Sequence, residues 1–426
     1  MAHVARQAPT ATAQKPAPSE GPPPPADRIG RRSALRAGFG AFAIFCAGIT
    51  VAGCGGGDDG RSGGGGGGGG GDDDGHAASP RPWRRPFGGW LTCSPAVVGG
   101  VVYVGGGRKN VYAVDAATGA KKWTFTTGNK EVSALAVVGR VVYASGHDGT
   151  LYALDATTGA KRWTFTTRAL TSDKPAWLTS PTMVDGVVYV GGYDKHVYAL
   201  DAVTGAKKWA FATRDAVQSS PAVVGGMVYV GSNDGNVYAL DAATGAKKWK
   251  FTTRDRVTSS IVVDGGVVYL GSFAGDVYAL DAATGAKKWK ITTGGWGTSS
   301  PAVVDGVVYV GGGMNVYALD AATGAKKWAF ATHAEIIYSS PAVVDGAVYI
   351  GSGDKNVYAL DAVTGAKKWA FATRDAVQSS PVVVGGMVYV GSNDGNVYAL
   401  DASTGTGPTP PSPTSPAPGW SPPSSP

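Results

Sequence analysis

The side chains that most often carry out chemistry are few in this chain and far apart in the sequence. His147, His196 and His333 lie in separate polar segments, without the combination of His, Cys and Asp at the spacing of a zinc site. After residue 54 the chain has just two glutamates, Glu131 and Glu335. Ser-Ser-Pro recurs as part of a repeat, so it does not indicate a hydrolytic serine. The sequence therefore predicts no metal site and no catalytic residue.

A second set of residues is suited to binding rather than to reaction. Aromatic side chains and arginine are enriched at the centres of protein interfaces. Two alternatives remain open: each Trp caps the core beneath it, or the aromatic residues bind a glycan or a peptide. The candidate partner-binding residues are Trp90, Trp177, Trp296, Tyr338, Arg214, Arg254, Arg256 and Arg374.

These residues lie between copies of a repeat with a period near 40 residues. Its centre, Asp-Ala-x-Thr-Gly or a close variant, occurs eight times. Between the turns Gly-Gly, Asn-Asp-Gly and Thr-Gly run short β-branched and aromatic segments, a pattern typical of hairpins. Four strands per repeat predict the blade of a β-propeller. The aspartates that begin the eight motifs are Asp115, Asp155, Asp201, Asp241, Asp281, Asp320, Asp361 and Asp401.

The fourth strand of each repeat carries a tryptophan. In Lys247 to Thr252, Trp249 and Phe251 share one face of the strand because side chains alternate with a period of two. We therefore expect the tryptophan to pack between neighbouring blades, while Lys248 faces solvent. The residues expected to dock blades in this way are Trp83, Trp123, Trp163, Trp209, Trp249, Trp289, Trp328 and Trp369.

The last repeat stops at Gly405 without its Trp strand, and the missing strand stands at the front of the domain. Trp83 precedes Ser94-Pro95 by the same spacing that separates Trp209 from Ser220-Pro221. Residues 81–87 are therefore predicted to complete the last blade and to close an all-β, eight-bladed propeller over residues 81–405. Closure removes the exposed strand edges that favour aggregation.

Residues 1–53 are predicted to be an export signal. Arg31 and Arg32 precede an apolar run over residues 37–52, and Val51-Ala52-Gly53-Cys54 looks like a bacterial lipobox. The run is shorter than the roughly 20 residues of a spanning helix, so a lipid on Cys54 is favoured over a transmembrane anchor.

The segments that flank the propeller have biased compositions. Residues 54–80 are rich in Gly and Asp and predict a flexible tether with a reach of about 25 Å. Residues 406–426 are rich in Pro, Ser and Thr and predict a disordered tail. Cys93 has no partner for a disulfide because Cys46 lies in the leader and Cys54 is assigned to lipid. The leader contributes +4 of the formal charge of +7, so the remaining chain gives no sign of binding nucleic acid.

The motif Tyr-Ala-Leu-Asp-Ala-x-Thr-Gly-x-x-x-Trp resembles the pyrroloquinoline-quinone-type (PQQ-type) propeller repeat, over residues 81 to 401. That family includes the quinoprotein dehydrogenases and the BamB-type outer-membrane assembly lipoproteins. The layout of this chain is closest to the second group. The resemblance implies a monomeric, non-catalytic scaffold in the bacterial cell envelope, held at the periplasmic face of the outer membrane. Its partners would be envelope proteins, such as a barrel-assembly complex.

The alternative implied by the resemblance is a PQQ-dependent dehydrogenase of alcohols or sugars. That chemistry needs a calcium ion held by carboxylate and amide oxygens and a quinone stacked on Trp. Glu131 and Glu335 fall in different repeats, and the vicinal Cys-Cys of many such dehydrogenases is missing. No cofactor is therefore predicted, with PQQ and calcium kept for the alternative.

Two stretches of the chain are nearly identical. Residues 197–242 and 357–402 differ only at Ala222 and Val382. Their offset of 160 residues corresponds to four blades, or half a turn of the ring. An internal duplication explains this identity and predicts two matching surface patches on opposite sides of the propeller.

Overall fold

The computed structural model describes residues 81–106, 109–128, 131–167, 177–336 and 338–408. The predicted leader, Cys54, the tether and most of the predicted tail lie outside these residues. The described residues form strands, turns and loops and contain no helix. No helix long and apolar enough to cross a membrane therefore occurs among them.

Every strand belongs to one of eight four-stranded antiparallel sheets, which are the blades of the predicted propeller. The first strand of the described residues is β1 (Trp83–Pro86). Blade 1 contains β2 (Ala96–Val98), β3 (Val101–Gly106), β4 (Asn110–Asp115) and β5 (Lys121–Thr126). Blade 2 contains β6 (Val132–Val138), β7 (Val141–Gly146), β8 (Thr150–Asp155) and β9 (Lys161–Thr166). Blade 3 contains β10 (Thr182–Val184), β11 (Val187–Gly191), β12 (His196–Asp201) and β13 (Lys207–Ala212).

The remaining blades follow the same order from the inner to the outer strand. Blade 4 contains β14 (Ala222–Val224), β15 (Met227–Gly231), β16 (Asn236–Asp241) and β17 (Lys247–Thr252). Blade 5 contains β18 (Val262–Asp264), β19 (Val267–Gly271), β20 (Asp276–Asp281) and β21 (Lys287–Thr292). Blade 6 contains β22 (Ala302–Val304), β23 (Val307–Gly312), β24 (Asn315–Asp320) and β25 (Lys326–Ala331). Blade 7 contains β26 (Ala342–Val344), β27 (Ala347–Gly351), β28 (Asn356–Asp361) and β29 (Lys367–Ala372).

Blade 8 is built from both ends of the domain, which confirms the predicted closure. Its strands are β30 (Val382–Val384), β31 (Met387–Gly391), β32 (Asn396–Asp401) and, as the outer strand, β1. In the pairing of β1 with β32, Trp83 stands opposite Ala399. Trp249 stands opposite Ala239 in the same way within blade 4. The N-terminal strand therefore occupies the register of an ordinary fourth strand.

The apolar cores lie between neighbouring blades. Tyr229 and Trp249 of blade 4 share a cluster with Val268 and Leu270 of blade 5. Trp249 donates a hydrogen bond from Nε1 to the carbonyl oxygen of Ala282, 2.9 Å away in blade 5. Each blade therefore buries its apolar face against the next, so the stability of one blade depends on its neighbours.

The Asp-Ala-x-Thr-Gly turn supports this packing. Oδ1 of Asp241 accepts hydrogen bonds from the backbone amide of Thr244 at 3.0 Å and from its hydroxyl at 2.9 Å. Oδ2 of Asp241 lies 3.2 Å from Nζ of Lys248, so the repeated Lys and Asp pair with each other at the surface. The turn thereby fixes the carbonyl oxygen of the alanine after the aspartate, which accepts the hydrogen bond of the docking Trp in the preceding blade.

Candidate interaction face

One face of the propeller carries the variable residues, and we name it the loop face. It consists of the loops that enter each blade from the previous one and the turns between the second and third strands. The two parts are joined by backbone hydrogen bonds, such as Asn233 N–H to the Ala216 carbonyl at 2.8 Å and Gly353 N–H to the Glu335 carbonyl at 3.1 Å. Side chains from a loop and from the adjacent turn are therefore held next to each other.

Three of the four aromatic candidates project into solvent on this face. Trp90 is 73% exposed, Trp296 is 71% exposed and Tyr338 is 67% exposed. Trp296 contacts the edge of Phe273, with the ring centroids 6.0 Å apart. Large aromatic side chains exposed to this extent are typical of surfaces that bind another molecule.

Trp177, the fourth aromatic candidate, is half-buried in a stack of rings. It lies parallel to His147, with centroids 4.6 Å apart, and tilted against Tyr193 at 5.0 Å. Its Nε1 is buried without a hydrogen-bond partner among the residues that the structure describes. Trp177 thus links the turns of blades 2 and 3, while the other three aromatic residues are mostly exposed to solvent.

The four arginine candidates are all exposed on the loop face. The guanidinium of Arg256 lies over the ring of Phe273, 4.3 Å from its centroid, in a cation–π contact. The backbone N–H of Arg214 and that of Arg374 each bind the carboxylate of an aspartate in the next turn, at 3.0 and 3.1 Å. These contacts hold the loops in place and leave the guanidinium groups of Arg214, Arg254 and Arg374 toward solvent.

The loop face also contains a pocket of about 290 Å³ between blades 7 and 8. Glu335, Ile336 and Tyr338 line it from one loop, and Val377 and Gln378 line it from the next. Its size is close to the lower limit of ~300 Å³ for small-molecule pockets, so it fits a single side chain or a small ring.

The described residues do not bring together the carboxylates that usually hold the calcium ion of a quinone enzyme. Calcium takes six to eight oxygen ligands, usually with several carboxylates. No group of three His, Cys, Asp or Glu side chains close enough to hold a metal occurs in the described ranges. Glu131 pairs with His147 at 3.8 Å in blade 2, whereas Glu335 lines the pocket near blade 7. The two glutamates are therefore on different parts of the ring.

The eight docking tryptophans lie at the joints between blades, away from the loop face. The indole Nε1 of each donates to the carbonyl oxygen of an alanine in the following blade, at 2.8 to 3.0 Å. Cys93 is buried beside Gly105 and Val132, and burial raises the pKa of its thiol to about 12. These residues therefore belong to the packing of the ring.

Sequence reasoning missed the contribution of the turns between the second and third strands. The turn residue that donates its N–H to the entering loop is Tyr193 in blade 3, Asn233 in blade 4, Phe273 in blade 5 and Gly353 in blade 7. The signal was available, because this position changes its residue type from blade to blade while the flanking strand residues hardly vary.

Comparison with known proteins agrees with this architecture. The family model described as "Outer membrane protein assembly factor BamB" matches four overlapping segments, residues 73–182, 170–259, 233–338 and 314–407. No curated protein matches the chain significantly.

Three solved structures that are similar to this chain are a designed protein, a dehydrogenase and a BamB. The computationally designed Ika8 protein is 18% identical with a TM-score of 0.65, and the match covers 73% of this chain and 96% of that one. A europium-containing methanol dehydrogenase is 17% identical with a TM-score of 0.62, covering 73% and 85%. BamB from Moraxella catarrhalis is 22% identical with a TM-score of 0.49, covering 72% and 84%. At these identities the first two likenesses show the fold alone, and the third, with its TM-score of 0.49, adds no support to them. The family model spans most of the chain. The chain therefore belongs to the propeller family described as outer membrane protein assembly factor BamB.

Proposed function

We propose that this chain is a lipid-anchored protein of the bacterial cell envelope whose loop face binds other proteins and takes part in outer-membrane protein assembly. The observation that carries the proposal is the exposure of Trp90, Trp296 and Tyr338 on one face of a rigid ring. Burying each of these rings against a partner would remove an aromatic surface of about 150–250 Å² from water.

The surrounding charges support a protein partner. Arg256 is fixed over Phe273 beside Trp296, so a cation and two aromatic rings form one patch. Arg and aromatic side chains are the residues that most often dominate the free energy of protein binding. The family description names an assembly factor, which is consistent with a binding role.

The anchor in this proposal comes from the sequence. A lipid on Cys54 would hold the propeller to the membrane, and residues 54–80 would let it reach a partner about 25 Å away. Replacement of Cys54 by Ala is expected to release the protein from the membrane fraction without changing its fold.

The binding role is tested with the purified chain and the soluble domains of the barrel-assembly machinery from the same organism. We expect the triple variant Trp90→Ser, Trp296→Ser and Tyr338→Ser to weaken binding at least tenfold in a pull-down or calorimetric titration. The matched control is the pair Val203→Ser and Val363→Ser, since these valines are 82% and 83% exposed on the opposite face. Equal loss in both variants, or no loss in either, would contradict the proposal.

The same preparation distinguishes a scaffold from a quinone enzyme. A scaffold is expected to show no quinone absorbance and no calcium-dependent reduction of a dye by alcohols or sugars. A positive result in both measurements would replace the proposed scaffold role by that of a dehydrogenase.

A further inference from the structure

Two joints on the loop face share the same loop sequence and differ in the residues that border this loop from the preceding blade. Residues 213–219 lie in the loop between blades 3 and 4, and residues 373–379, with the identical sequence, lie between blades 7 and 8. The adjoining turn residue is Tyr193 at the first joint and Gly353 at the second, 160 residues later. The second joint therefore lacks the phenol ring that the first has beside this loop. The residues that stand there in place of Trp177 are Glu335, Ile336 and Tyr338.

At the first joint, the ring of Tyr193 fills the space between the two loops. It packs against Trp177, and its hydroxyl oxygen accepts a hydrogen bond from Nε2 of Gln218. The Tyr193 hydroxyl is neutral at physiological pH, and burial raises its pKa further above the ordinary value. This joint shows how the loop holds a phenol.

At the second joint, the corresponding space is open. Gly353 and Gln378 border the pocket of about 290 Å³, with Val377 and Ile336 as apolar walls. In the described part of the chain, the side-chain amide of Gln378 has no hydrogen-bond partner, in contrast to that of Gln218. Glu335 and Tyr338 complete the lining. A cleft with apolar walls and a free amide donor is complementary to a hydroxylated aromatic ring.

We propose that the pocket between blades 7 and 8 binds a tyrosine side chain of a partner protein, with Gln378 donating to the phenol oxygen as Gln218 does to Tyr193. This proposal rests on the protein-binding role proposed above and identifies one anchor of the partner. Residues 1–80 and 409–426 contain no tyrosine. Tyr338, which lines the pocket, is itself 67% exposed. The proposed ring is therefore that of another chain.

The pocket is tested by calorimetry or by NMR titration of the purified chain with N-acetyl-L-tyrosinamide as the probe. We expect saturable binding in about the millimolar range, as for small ligands of this size. N-acetyl-L-phenylalaninamide should bind about three- to tenfold more weakly, because it leaves the Gln378 amide without an acceptor. Equal binding of the two probes, or no binding of either, would overturn the proposal.

Three variants follow from the comparison of the two joints. Gly353→Tyr should fill the pocket and abolish binding of the probe. Tyr193→Gly should open the first joint and raise the stoichiometry from one probe to two. Gln378→Leu should retain the pocket and remove the preference for tyrosine over phenylalanine. Unchanged binding by Gly353→Tyr would overturn the proposal.

The Gly353→Tyr variant is expected to fold. The backbone of Gly353 does not adopt a positive φ, and the same turn position carries Tyr193, Asn233 and Phe273 in other blades. A Cβ at Gly353 would approach the carbonyl oxygen of Glu335 to 3.2 Å, which requires a shift of a few tenths of an ångström. A thermal unfolding midpoint close to that of the unmodified chain verifies folding, and Gln378→Leu tests the proposal even if Gly353→Tyr is unstable.

Two further measurements separate the possible failures. If Gly353→Tyr blocks the probe but the assembly-machinery domains still bind with unchanged affinity, the partner does not use this pocket and the inference fails while the proposed function stands. If the probe binds only after removal of residues 409–426, which contain Trp420, the chain's own tail occupies the pocket and the inference also fails.

Discussion

The indole Nε1 of Trp83 donates a hydrogen bond to the carbonyl oxygen of Ala116, 2.8 Å away in the first blade. The hydroxyl of Tyr389 donates to the same oxygen at 3.1 Å. Trp249 and Tyr229 converge on Ala282 with matching distances of 2.9 and 3.1 Å. The joint that closes the ring therefore uses the same two donors and the same acceptor as a joint inside it.

Replacement of Trp83 by Ala should lower the free energy of unfolding by about 3–5 kcal/mol, the usual cost of removing a large buried aromatic side chain. The loss has two causes: the cavity left against Tyr389 and the unpaired carbonyl of Ala116. Urea denaturation followed by tryptophan fluorescence measures it. Arg81→Ala, at an exposed position just before β1, is the control and should change stability by less than about 0.5 kcal/mol. A similar effect of the two substitutions would show that the closing strand contributes little.

Replacement of Gly285 by Ala should destabilise the chain through both backbone strain and a steric clash. Gly285 has a φ of 73°, and a Cβ there would lie 2.7 Å from Cε3 of Trp249. We expect a loss of about 1–3 kcal/mol in the free energy of unfolding, with the midpoint of denaturation shifted accordingly.

Gly265→Asp is the matched control for this substitution. Gly265 also has a positive φ, of 53°, but a Cβ there meets no atom within 4 Å. Asp185 adopts a φ of 48° at the corresponding turn of blade 3. Gly265→Asp should therefore cost clearly less than Gly285→Ala, and the reverse order would refute the assigned role of the Trp–Gly contact.

Stability should fall in acid because the repeated aspartates are stabilised in their ionised form. The hydroxyl of Thr244 and then Nζ of Lys248 lower the pKa of Asp241 to about 2. A carboxyl whose pKa is depressed in the folded state stabilises it above the ordinary value and loses that contribution as the pH falls through the folded value. The free energy of unfolding should therefore stay constant between pH 7 and about 5 and decline between about 4 and 2.

This acid dependence is measured by urea denaturation at a series of pH values. Asp241→Asn should flatten the decline slightly, because one of the titrating groups is gone. Since the corresponding aspartates of the other repeats also have lowered pKa values, the full decline should exceed the contribution of one site. Stability that is unchanged down to pH 2 would contradict the argument.

Cys93 should be unreactive in the folded protein. Burial raises the pKa of its thiol to about 12, so almost no thiolate is present at pH 8. In a chain in which Cys46 and Cys54 are replaced by Ser, a disulfide reagent should release no colour until guanidinium is added. Stoichiometric reaction without denaturant would show that the site opens readily.

The blades and their closure were predictable because they depend on local, repeated patterns. Alternation in Lys247 to Thr252 assigns the buried face, and the spacing of Trp83 from Ser94 identifies the strand that completes the last blade. The blades and their closure need only the repeat and its register. The sequence places Trp90 and Trp296 between repeats and leaves open whether they cap the core; in the structure both are exposed.

The details of the loop face could not be predicted in this way. The stack of His147, Trp177 and Tyr193 joins residues of different turns and loops, whose conformations have no period. The pocket beside Gly353 lies where the equivalent turn of blade 3 carries the side chain of Tyr193. The proposed ligand of this pocket follows from the hydrogen bond between Gln218 and Tyr193, which the sequence does not reveal. Such relationships depend on three-dimensional proximity between segments far apart in sequence.

The equivalence of the closing joint to the others implies that the position of the chain ends is arbitrary. A circular permutant that links residues 81 and 405 and is cut in another loop between blades should rebuild the same ring, with a different strand as its closure. Evolution or design could in this way move the chain ends, and with them the proposed anchor, around the ring and so change which pair of blades lies nearest to it.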